Sequence, residues 1–130
     1  MIKANETRIG NFVEFENSIF KIHTISEVYP TLDTPEFGIC VIDWNNIQPI
    51  PLTEEWLLKF GFNKIQGDKI FFEKDVFGNT PIKFEKKNIP FSGEQMCLCI
   101  SNFFTSRIKY VHQLQNIYFA LTGDELTIVK

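Results

Sequence analysis

The chain has 130 residues, 44% of them hydrophobic and 22% charged, and a formal net charge of −3 from 13 basic and 16 acidic side chains. That length predicts one domain with its own core, and the acidic balance argues against a protein whose main work is neutralising nucleic-acid phosphates. No apolar run approaches the ~18 residues of a membrane span, and the start MIKANETRIG has neither the apolar stretch nor the cleavage pattern of a secretory signal, so a cytoplasmic protein is expected.

The first fifty residues read as short strands. Gly10-Asn11 suggests a turn. Phe12–Glu16 and Ile19–Ser26 both alternate apolar and polar around Asn17-Ser18, the pattern of a β-hairpin in which His23 faces outward. Tyr29–Glu36, with two prolines and little periodicity, reads as a loop long enough to act as a lid. Gly38–Asp43 is a β-branched strand, Trp44-Asn45-Asn46 a tight turn, and Ile47–Ile50 a further short strand bounded by proline. Together they predict a small SH3-like curled β-lobe over residues 1–51.

Residues 52–130 are expected to form a second lobe, or a continuation of the same core. Leu52–Phe62 is the clearest short helix: Thr53 is its N-cap, Glu54 and Glu55 favour its dipole, and Gly61 ends it. Lys69–Val76 and Pro81–Lys87 flank Phe77-Gly78-Asn79-Thr80 as a second hairpin. Gln95–Ile100 is a strand carrying Cys97 and Cys99, Ser101–Arg107 reads as a loop, and Thr127–Val129 as a last short strand. The predicted class is therefore α+β: the N-terminal lobe, a capped helix, and antiparallel strands packed with one C-terminal helix.

That C-terminal helix is the most informative stretch. In Tyr110–Leu126, Val111, Leu114, Ile117, Tyr118 and Leu121 form a stripe wide enough to bury. His112, Gln115, Asn116 and Phe119 share another face. It carries amides, an imidazole and a Phe where a solvated face carries Lys and Glu. Two readings follow: a face covered by the protein's own backbone, or a face that meets a partner. Gly123 is placed to end the helix.

Three stretches, Arg8-Ile9-Gly10-Asn11, IQPIPLTEEWLLKFG at residues 47–61 and KYVHQLQNIYFALTGDEL at residues 109–126, resemble a family of small uncharacterised Bacteroidetes proteins, often encoded among prophage or mobile-element genes. The resemblance implies a cytoplasmic bacterial or phage protein with a role in phage or element biology. It carries over no activity and no catalytic residues.

Chemistry is sparse in the sequence. Phosphate-binding and nucleophile-elbow glycine patterns are absent, and neither of the two His has a partner at metal-ligand spacing, so no cofactor and no metal are expected. The three Cys, Cys40, Cys97 and Cys99, suit free thiols in a reducing compartment. His112 is the candidate general base by residue type, with Cys97, Cys99 or Ser101 as conceivable partners. The leading expectation is a non-catalytic protein that works by protein–protein contact or self-association through His112, Gln115, Asn116 and Phe119. The alternative is a nucleic-acid accessory protein that stacks bases on Phe103 and Phe104 beside Arg107 and Lys109.

Overall fold

The computed structural model describes residues 2–26, 28–67, 70–76, 80–89, 93–100 and 103–129; the side chains at 75–76, 80–81, 86–89, 93–100 and 103–107 are outside the description. The fold is α+β, with antiparallel sheets and one main helix. The chain divides into two compact units: residues 1–51 with Tyr110–Ile117, and residues 52–109 with Tyr118–Lys130.

The first unit holds a four-stranded sheet in the order β1 (Phe12–Phe15), β2 (Ser18–Thr24), β3 (Thr31–Thr34), β4 (Gly38–Val41). The β1–β2 hairpin turns at Glu16-Asn17, both with positive φ (49° and 63°), the geometry whose twist matches that of the strands. Alternation along the strands sends Val13, Ile22 and Leu32 to one face. There they form a core with Ile2, Trp44 and Ile47. Trp44 sits in a 3-10 turn capped by Asp43, and its indole N–H donates to Ser26 O at 2.8 Å. A buried indole needs such an acceptor.

Tyr29–Glu36 contains a strand, β3, where the two prolines suggested a loop; Pro30 and Pro35 flank the paired residues, and Pro30 still takes the Ile42 N–H through its carbonyl. Ile47–Ile50 is not a strand of its own: Gln48 makes a single bridge to Glu14, with bonds of 2.9 and 2.8 Å.

The second unit opens with α1 (Glu54–Lys59). The Thr53 hydroxyl accepts the Trp56 N–H at 3.5 Å. At the other end the Phe62 N–H reaches Leu57 O and the Gly61 N–H reaches Leu58 O, both at 3.0 Å, with Gly61 at φ 87°, which is a Schellman ending. A five-stranded antiparallel meander follows: β5 (Asn63–Gln66), β6 (Ile70–Val76), β7 (Thr80–Ile89), β8 (Gly93–Ile100) and β9 (Phe103–Ile108). Phe72, Ile82 and Phe84 are buried with Trp56, Leu57, Phe60 and Phe62, and the Phe62 and Phe84 rings meet edge to face at 5.6 Å.

The expected loop at Ser101–Arg107 is a strand from Phe103 onward. Its pairing with β8 overrides a sequence that does not alternate, and a register shift at Leu98/Cys99 accommodates it. Residues 127–129 form no strand; the Val129 N–H instead donates to Lys59 O at 2.7 Å.

The last helix, α2, is Val111–Thr122. Tyr110 is its N-cap residue, and Gln113 Oε1 accepts the Tyr110 N–H at 3.1 Å, half of a capping box. Within the first unit the Val111 N–H is taken by Ile50 O at 2.8 Å. Val111 and Leu114 are fully buried there. Near its end Tyr118 is buried, Leu121 is partly exposed, and Gly123 (φ 77°) donates to Phe119 O at 2.8 Å.

Candidate functional site

The polar face of α2 is built into the first unit. Gln115 is 2% exposed. Its Oε1 accepts the Phe12 N–H at 2.8 Å, and its Nε2 donates to Gly10 O at 3.2 Å. One side-chain amide thus takes the place of a neighbouring strand at the entry to β1. Asn116 lies beside it. Its Oδ1 accepts from Asn11 Nδ2 at 2.9 Å and from Arg8 Nη1 at 3.4 Å, while its Nδ2 donates to Glu6 O at 3.0 Å.

Asn11 is fully buried and completes the lock: its Oδ1 accepts the Arg8 N–H at 2.7 Å, and its carbonyl accepts the Ile22 N–H at 3.0 Å. Gly10, at φ 93°, makes this tight loop possible. The Arg8–Asn11 stretch and the Gln115-Asn116 pair therefore meet across 105 residues of sequence.

His112 is 1% exposed, and neither of its ring nitrogens has a hydrogen-bond partner among the described residues. The ring stacks on Tyr110 with centroids 5.8 Å apart and planes 12° from parallel. Burial pushes its pKa below the usual 6.5, and the Glu6 carboxylate offsets this only in part. The imidazole is neutral and offers no surface to a substrate. Phe119 alone of the four predicted contact residues is exposed, at 38%. The chain's own N-terminal loop answers the Gln115 and Asn116 amides, as in the first of the two readings of this face, and His112 is buried on the same face without such a bond among the described residues.

For the nucleic-acid alternative, Phe103, Phe104 and Arg107 lie on β9, but their side chains are outside the described residues; Lys109 is exposed. The side chains of Cys97 and Cys99 are likewise outside them, while Cys40 is a half-buried free thiol 3.6 Å from Thr34 Oγ1. Among the described residues no group of three His, Cys, Asp or Glu could hold a metal ion, and no helix is long and apolar enough to cross a membrane.

Two features of the first unit escaped sequence reasoning. The first is β4, the end strand of its sheet. Phe37, Ile39 and Val41 are 78%, 56% and 66% exposed, and Val28 and Tyr29 are exposed nearby. The Ile42 N–H donates to Pro30 O, so the hydrogen-bonded positions of the β3–β4 ladder are Ile42, Cys40 and Gly38. The backbone groups of Ile39 and Val41 therefore point away from β3, to the open edge. The second feature is a cleft of about 510 Å³ at the hairpin end of the sheet, walled by Phe15, Phe20, Phe37 and Ile42 and rimmed by Glu16 and Glu36. The hydrophobic run Gly38–Asp43 signalled the strand; its place at the sheet edge depends on which strand follows which, which periodicity does not encode.

The chain matches no protein-family model, no curated protein and no solved structure.

Proposed function

We propose that this is a non-catalytic protein that works by protein–protein contact, and that the contact is self-association through the edge of β4. The observation that carries this reading is that β4 joins an open backbone edge to exposed apolar side chains. Protein sheets guard such edges with charge, proline or a covering segment. The outer edge of β1 is bridged by Gln48, and the edge strand β5 carries Lys64, paired with Glu54 at 2.6 Å. The β4 residues Gly38–Val41 carry neither charge nor proline.

A two-fold axis at Cys40 would place Ile39 of one copy opposite Val41 of the other, twice, satisfying the outward N–H and C=O groups and covering both side chains. Such an isologous contact closes on itself. In this reading the first unit is an SH3-like lobe serving as an assembly scaffold, and the resemblance to mobile-element proteins supplies the setting, a bacterial cytoplasm.

Sedimentation velocity on the full chain across a dilution series tests it. The wild type is expected to pass from monomer to dimer with rising concentration. Ile39→Lys/Val41→Lys, two changes at exposed positions that leave stability nearly unchanged, is expected to stay monomeric. A wild type that remains monomeric throughout, or a variant that dimerises equally well, overturns the reading.

A further inference from the structure

We infer that the cleft at the hairpin end of the first sheet binds a short segment of a partner protein in which an apolar or aromatic side chain stands next to Lys or Arg. The volume, about 510 Å³, falls in the range of pockets that enclose a ligand, with room for more than one side chain. Phe15 and Phe20, with ring centroids 6.3 Å apart, pack on the core from its margin and leave part of their surface to the cleft. Phe37 stands at its mouth, mostly exposed.

Charge decides the occupant. Glu16 and Glu36 supply the charges on the lining, and no Lys, Arg or His is among the residues that line it. A second copy of this chain is a poor fit: Phe37, the most exposed aromatic residue among the described residues, brings Glu36 with it, and the whole chain is acidic at −3. A cationic segment meets no such repulsion, and its apolar side chain covers the rings. Glu16 is also held at φ 49° in a turn position where Asn, Asp or Gly costs less, so the carboxylate is kept at the rim against the local preference.

The test is a titration of the isotope-labelled full chain with two fluorescein-tagged hexapeptides, Gly-Lys-Phe-Leu-Lys-Gly and Gly-Glu-Phe-Leu-Glu-Gly, read by amide shifts and by fluorescence polarisation. The basic peptide is expected to shift the amides of Ile19, Phe37, Cys40 and Ile42. It is expected to bind about tenfold more tightly than the acidic one at low salt, the worth of two exposed ion pairs, with the gap narrowing as salt screens the charges. Glu16→Lys/Glu36→Lys, a change confined to exposed side chains, is expected to reverse the preference. Equal binding of the two peptides, shifts confined to other residues, no binding at millimolar peptide, or an unchanged preference in the variant each overturns the inference. So does concentration-dependent shifting of the Phe15, Ser18 and Ile19 amides without peptide in Ile39→Lys/Val41→Lys, which cannot pair through β4; that would make a second copy the occupant of the cleft. Self-association through β4 uses the opposite face of that strand, so Ile39→Lys/Val41→Lys is expected to retain the peptide response, and the two proposals fail separately.

Discussion

A buried imidazole without a hydrogen-bond partner is a liability in acid, and among the described residues His112 has none. Its folded pKa lies below 6.5, so the unfolded chain takes up the proton first as pH falls. The stability present above pH 6.5 is then lost as the pH drops from there towards the folded value, at up to about 1.4 kcal/mol per pH unit for one proton. His112→Phe keeps the ring stacked on Tyr110 and removes the titration. Urea midpoints measured from pH 7 to 5 are expected to fall less for the variant than for the wild type; parallel curves would show that His112 does not control the acid limb. Gln115 makes the complementary case. Gln115→Leu strands the Phe12 N–H and the Gly10 C=O inside the first unit, and should cost about 2–4 kcal/mol in urea unfolding. The same contacts mean that Asn116→Ala lowers stability measurably, whereas Phe119→Ala, at a partly exposed position, lowers it less.

At the scale of elements, what was legible in the sequence is what a few neighbouring residues decide. Thr53, Glu54, Glu55 and Gly61 specify α1 from cap to cap, because each acts on backbone groups within one turn of itself. The β1–β2 hairpin and the antiparallel β6–β7 pair followed from alternation beside turn residues, the predicted turn at Phe77-Gly78-Asn79 lying outside the described residues. β3 and β9 did not: prolines hid the first and adjacent aromatics the second, and both owe their conformation to ladder partners. The two helix-ending glycines allow a test of what each position demands. Both have positive φ, so replacement by Ala costs about 1–2 kcal/mol at either. At Gly123 a Cβ meets nothing within 4 Å, while at Gly61 it would lie 2.8 Å from Val129 Cγ2 and 2.9 Å from Lys74 Nζ. Gly61→Ala is therefore expected to lower the melting temperature distinctly more than Gly123→Ala; equal losses would mean that the conformational term alone matters.

At the scale of the whole molecule, the candidate site was the least legible part. The helical period placed His112, Gln115 and Asn116 on one face correctly, but the groups that answer the amides, at Gly10, Asn11 and Phe12, lie more than a hundred residues away in sequence. An uncharged polar face is therefore the same signal whether the chain or a partner covers it, and here the chain covers most of it. The exposed apolar surface lies instead on β4, a strand unremarkable in sequence until its position at the sheet edge is known. Self-pairing of that edge is read by hydrogen exchange of the Ile39 and Val41 amides at two protein concentrations. Both N–H groups point to the open edge, so pairing predicts fast exchange in dilute solution and slow exchange in concentrated solution, with the Cys40 amide protected in both. Fast exchange of Ile39 and Val41 at every concentration would rule out pairing through β4.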